Sequence, residues 1–109
     1  MTQQISIDFT AARRDAGIQR AADHAEREAP GWGEGAVAFV QWYARHNREF
    51  LAEDVIESYI RVGLPEPPDG RAWGAVIRRA AKLGAIQKAG YRPARSSNLS
   101  PKVLWRSLA

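Results

Sequence analysis

The chain has 109 residues, a formal net charge of +4 and 45% hydrophobic residues. That suits one domain with one core, and excludes a compositionally disordered chain. The absence of cysteine excludes a disulfide framework and a thiolate zinc site; with no basic-then-apolar leader and no apolar run of about 18 residues, the expectation is a cytoplasmic protein without signal peptide or membrane span.

In chain order, Ile5 to Phe9 alternates apolar and polar residues and reads as a small strand or an extended arm. A helix is expected from about Ala11 to Ala29. Its stripe of Ala11, Ile18, Ala22, Ala25 and Ala29 is small enough for close approach to another helix. Pro30-Gly31 breaks it. The second helix is expected from about Gly33 to His46, with Ala36, Val37, Phe39, Val40, Tyr43 and Ala44 on one face and Trp42 at its edge. His46 to Glu49 reads as a turn and Phe50 as a core plug. The third helix, Ala52 to Val62, carries Val55, Ile56, Tyr59, Ile60 and Val62 on its apolar face. Gly63 is its natural stop, and the proline-rich connector Leu64 to Gly70 forbids continuation.

Asp69 is the expected N-cap of a fourth helix that ends at Leu83, before Gly84, with Leu83 on its buried side. Strands at Ala85 to Tyr91 and Lys102 to Ser107 enclose the polar loop Arg92 to Pro101 and form a hairpin. Trp73 and Trp105 fall on buried faces. The expected class is mainly α with a C-terminal β-hairpin, in one compact unit: residues 1–32 an arm and helix packing on the core, residues 33–109 the remainder.

Helix, turn, helix, then a β-hairpin resembles the winged helix-turn-helix family. The likeness covers about residues 34–108, and rests on Arg71-Ala72-Trp73-Gly74-Ala75-Val76-Ile77-Arg78-Arg79-Ala80-Ala81-Lys82-Leu83-Gly84-Ala85-Ile86 as recognition helix and first wing strand. The Trp73-Gly74 pair and Val103-Leu104-Trp105-Arg106 are also similar to small winged-helix proteins of bacteriophages and prophages. The connector Gly63 to Gly70 is longer and richer in proline than a simple helix-turn-helix turn. The resemblance implies DNA binding, with a recognition helix at about 70–83 and a basic wing at about 92–102, in transcription regulation or replication.

The charge distribution agrees. Residues 1–70 hold seven Lys+Arg and all twelve Asp+Glu, a net −5; residues 71–109 hold nine Lys+Arg and no acid, a net +9. On the fourth helix Arg71, Arg78, Arg79 and Lys82 share an arc of about 100°, with the small Gly74 and Ala75 between them, a face suited to close approach to phosphates or a major groove. Arg92, Arg95, Ser96, Ser97 and Lys102 extend it along the loop; Lys88 and Arg106 flank the sheet. About six phosphate contacts would give a slope of log K against log salt near −5. Replacing Arg71 or Arg78 should then alter sequence preference, and replacing Arg95 should weaken all sequences alike.

Double-stranded DNA is therefore the expected partner. The acidic N-terminal helices would face away and offer a protein-binding surface, and a homodimer is compatible with the family habit. Two other readings compete. A protein-interaction module would present the +9 surface to an acidic protein, and would bind no duplex at low salt. An RNA or single-strand binder would need an exposed stacking aromatic such as Trp105. His24 and Glu28, four apart on one helix, lack a third metal ligand. No nucleophile elbow or glycine-rich phosphate loop is present, so neither an enzyme nor a cofactor is expected.

Overall fold

A computed structural model describes residues 2–109, the side chains of residues 2–10 and of Ser97 excepted. Helix α1 spans Thr2–Glu28, α2 Trp32–His46, strand β1 Glu49–Phe50, α3 Ala52–Val62, α4 Ala72–Lys82, β2 Ile86–Pro93 and β3 Pro101–Ser107, with a turn of 3-10 helix at Arg95–Ser97. The chain is mainly helical with one three-stranded antiparallel sheet, in the order β1-β3-β2.

The segment Ile5 to Phe9, expected as strand or arm, lies within α1. No Gly or Pro precedes Gly17, so nothing interrupts the helix, and alternation over five residues is too short to override it. The buried stripe of α1 is also shifted. Gly17, Ala21 and Ala25 are buried, Ile18 and Ala22 half-buried, whereas Ala11 and Ala29 are exposed. Glu26 then fixes the entry to α2, its two carboxylate oxygens accepting the N–H groups of Gly31 (2.9 Å) and Gly33 (2.7 Å). A carboxylate at a helix N-terminus suits both the orphan donors and the dipole, and these two bonds hold the Glu26 pKa below its ordinary value.

Strand β1 is two residues long where the sequence reads as a turn. It exists through β3: Glu49 pairs with Arg106 and Phe50 with Trp105. A two-residue strand carries no periodicity of its own. The β2–β3 hairpin is interrupted between Lys88 and Tyr91, where Gly90 adopts φ 119°, a region that favours glycine. The chain end is tied down by Ser107 Oγ donating to the Ala44 carbonyl (2.6 Å) and Leu108 N–H donating to Ala85 (2.9 Å).

One core runs from α1 (Ala21, Ala25) through α2 (Trp32, Val37, Val40), Phe50, α3 (Val55, Tyr59) and α4 (Trp73, Val76, Ile77) to Ile86 and Trp105. Trp32 and Trp73 meet edge to face at 5.3 Å, as do Tyr59 and Trp73 at 4.8 Å. Trp32 Nε1–H and the Tyr59 hydroxyl both donate to the Pro65 carbonyl, at 3.1 and 2.7 Å. The proline-rich connector is thus pinned near its start. Three residues expected on apolar faces stay exposed: Ile60, Val62 and Leu83. Ile60 and Val62 lie in the last turn of α3, and Leu83 lies just past the end of α4. No described helix is long and apolar enough to cross a membrane.

Two glycines at the α1–α4 contact have opposite surroundings. A Cβ on Gly74 would stand 3.1 Å from Ile18 Cδ1 and 3.2 Å from Cγ2; on Gly17 it would meet only the flexible ends of Arg71 (3.3 Å) and Arg20 (4.0 Å). Gly17→Ala is therefore expected to stabilise by about 0.5–1 kcal/mol through helix propensity. Gly74→Leu, which must push Ile18 aside, should destabilise by about 1–3 kcal/mol. Urea denaturation of the two variants checks both signs.

Candidate nucleic-acid interface

The structure keeps Arg71, Arg78, Arg79 and Lys82 exposed, but the gap between them is filled. Gly74 and Ala75 are half-buried, with Ile18 of α1 over Gly74 and Ala22 and Trp32 beside Ala75 in a small cleft. The two small residues serve the approach of the chain's own first helix. The acidic half does not simply face away: Asp15 of α1 pairs with Arg78 at 2.7 Å.

Arg71 is likewise engaged. It is the N-cap of α4, and no side chain caps the helix there, so the expected cap at Asp69 is displaced by a tight turn. Asp69 instead takes the Arg71 backbone N–H (2.9 Å) and holds its guanidinium in a fork (3.1 and 2.7 Å to Oδ2). The Arg71 side chain and then its backbone N–H lower the Asp69 carboxyl to about 2. A depressed carboxyl stabilises the fold above its ordinary pKa of about 3.9, and that contribution is lost as pH falls through about 2. The expected carboxyl midpoint by NMR titration is therefore about 2, and Arg71→Ala should return it towards the ordinary value.

The loop is folded down rather than projecting. Ala94 is buried; its N–H donates to Ser100 (2.9 Å) and its carbonyl accepts from Leu99 (2.9 Å). Asn98 and Leu99 take left-handed conformations that close the tip. Arg95 reaches the start of α3, pairing with Glu57 (2.9 Å) and Asp54 (3.2 Å) and lying 3.8 Å from Glu53. The Ser96 N–H donates to Glu53 (3.2 Å). Arg95 and Ser96 therefore anchor the tip to α3; the side chain of Ser97 lies outside the described residues.

Four expected contacts remain uncompensated. Among the described residues no carboxylate oxygen lies within 4 Å of the charged nitrogens of Arg79, Lys82, Arg92 or Lys102, all exposed. Arg79 and Lys82 border a groove whose other wall carries Asp23, Glu26 and Glu34. Arg92 and Lys102 are directly opposite across β2 and β3. Like charges in that position oppose folding.

Trp105, whose exposure would favour single-strand stacking, is buried, as is Trp73; Trp42 is exposed. His24 and Glu28 are 3.4 Å apart, and no cluster of three metal-ligating side chains occurs among the described residues. Arg13, Arg14 and Arg20 of α1, outside the cationic arc expected from the sequence, border the same region as Arg71. Their signal is present in the sequence, three arginines within eight residues, but summing charge over residues 1–70 conceals it.

A scan against protein-family models and searches of curated proteins and of solved structures find no match to this chain.

Proposed function

We propose that the chain is a winged-helix protein that binds duplex DNA. The element order from α2 to β3, with a short strand after the first helix of that unit and a sheet ordered β1-β3-β2, supports the fold reading. The observation that carries the function is the Arg92–Lys102 pair: two cations opposite each other on adjacent strands, with no carboxylate oxygen within 4 Å of their charged nitrogens among the described residues. A polyanion laid against them would convert that repulsion into attraction. Arg79 and Lys82 extend the surface onto α4, and regulation of transcription or a part in replication remains the proposed setting.

The pairing of Arg71, Arg78 and Arg95 with acids alters the expected strength. Four contacts, to Arg79, Lys82, Arg92 and Lys102, give a slope of log K against log salt of about −3.6. The test is fluorescence anisotropy of short duplexes, from random and selected pools, across a salt series. A slope of at least that size supports the reading, and a slope near zero overturns it. No duplex binding at low salt would favour the acidic protein partner instead.

A further inference from the structure

We propose that α1 is itself part of the DNA-binding surface, with Arg14 and Arg20 contacting backbone phosphates beside Arg71. This rests on the DNA-binding reading and extends it to a helix of the acidic half.

Two shallow grooves meet where α1 crosses α4, and they share Arg14, Ile18 and Gly74. The first is lined by Arg13, Arg14, Arg20 and Arg71, with no carboxylate among the described residues that line it. The second carries Arg14, Arg78, Lys88 and Lys102 on its walls, and among the described residues Glu53 is the single acid lining it. The cationic surface therefore runs from α1 over the start of α4 to the hairpin, with Arg14 common to both grooves.

Geometry favours an anion in the first groove. From the point where a Cβ on Gly17 would lie, Arg71 Nη1 is 3.3 Å away and Arg20 Nη2 is 4.0 Å away. Two guanidinium groups thus converge over bare backbone, within reach of one phosphate, the acceptor that arginine forks match best. Asp69 holds the Arg71 guanidinium by its Nε and Nη2, and Nη1 is the atom nearest the Gly17 point. A series of cations across three elements matches a repeating anion better than a single small one. The backbone of duplex DNA is that anion, because Arg92 and Lys102 continue the series along the hairpin.

The test uses the full chain and a labelled random-sequence duplex. Replacing Arg14 and Arg20 together by Ala is expected to lower the magnitude of the salt slope by about 1.8, at about 0.9 per contact. Both side chains are exposed, so the thermal melt should not move, and Arg14→Lys with Arg20→Lys should restore the slope. A charge-matched control, Arg27→Ala with Arg45→Ala, should leave the slope as it is. An unchanged slope in the first pair, with the wild type still salt-dependent, overturns the role of α1 and leaves the DNA reading standing. An equal fall in both pairs overturns it as well, since net charge would then suffice. A flat wild-type slope removes both readings. Poly-glutamate that displaces the duplex at equal charge concentration overturns both in favour of an acidic protein partner.

Discussion

Replacing Trp73 with alanine is expected to cost about 3–5 kcal/mol of folding stability, the range for truncating a buried tryptophan. Trp73 is 4% exposed and sits between Trp32 and Tyr59, with ring planes at 79° and 82° to its own. Tyr59 in turn meets Phe39 edge to face at 5.3 Å. The column joins α2, α3 and α4, so its loss should loosen all three helices together. Against a typical total of about 5–15 kcal/mol, the variant should be marginal at room temperature. Trp73→Phe, which keeps a ring for both partners, should lose less. Urea unfolding followed by far-ultraviolet circular dichroism measures both; a loss under about 1 kcal/mol for the alanine variant would show that the column does not hold the helices.

Removing Arg79, Lys82, Arg92 and Lys102 together is expected to take about 3.6 off the salt slope. These four contacts alone correspond to a roughly 150-fold loss of affinity between 50 and 200 mM salt. The quadruple alanine variant should lose this dependence without losing stability. Relieving the Arg92–Lys102 opposition should even stabilise the hairpin, by about 0.2–1 kcal/mol. Binding that falls while stability holds or rises is the signature of a surface kept for a ligand. Arg95→Ala makes the contrast: it should leave the salt slope unchanged and release the tip, seen as faster amide exchange at Ala94 and Leu99. Equal effects of Arg95 and Arg92 on binding would show that the tip leaves α3 to reach DNA.

The helices of the core were legible in the sequence because each has strong punctuation. Gly31 and Gly63 adopt φ 87° and 91°, conformations that glycine supplies without strain, and the apolar faces of α2 and α4 recur at the helical period. What was not legible depends on partners distant in the chain. Strand β1 exists through pairing with β3, and the hairpin tip is folded by carboxylates some forty residues earlier, Asp54 and Glu57. The helical period places the arc of cations on α4 in solvent, yet it cannot distinguish Gly74 and Ala75 as open space from Gly74 and Ala75 as a seat for another helix. Small residues on a helix mark close approach without saying what approaches. The same ambiguity held for the alanine stripe of α1, and each stripe is the answer to the other.

That crossing sets a limit on how α4 meets any ligand. The small-residue centre of its cationic face, Gly74 and Ala75, would be bare only in molecules where α1 had lifted away, which requires breaking the Ile18–Gly74 contact and the Asp15–Arg78 pair. Were lifting to cost about 2.7 kcal/mol, roughly one molecule in a hundred would present the face, and a ligand needing it would bind about a hundredfold more weakly than its intrinsic affinity. A base sequence read by α4 would be discounted by that factor, while phosphates held at the edges of the crossing would not. Under the duplex-binding proposal, discrimination between sequences would thereby be coupled to the detachment equilibrium of one helix, and any substitution that loosens α1 would sharpen it.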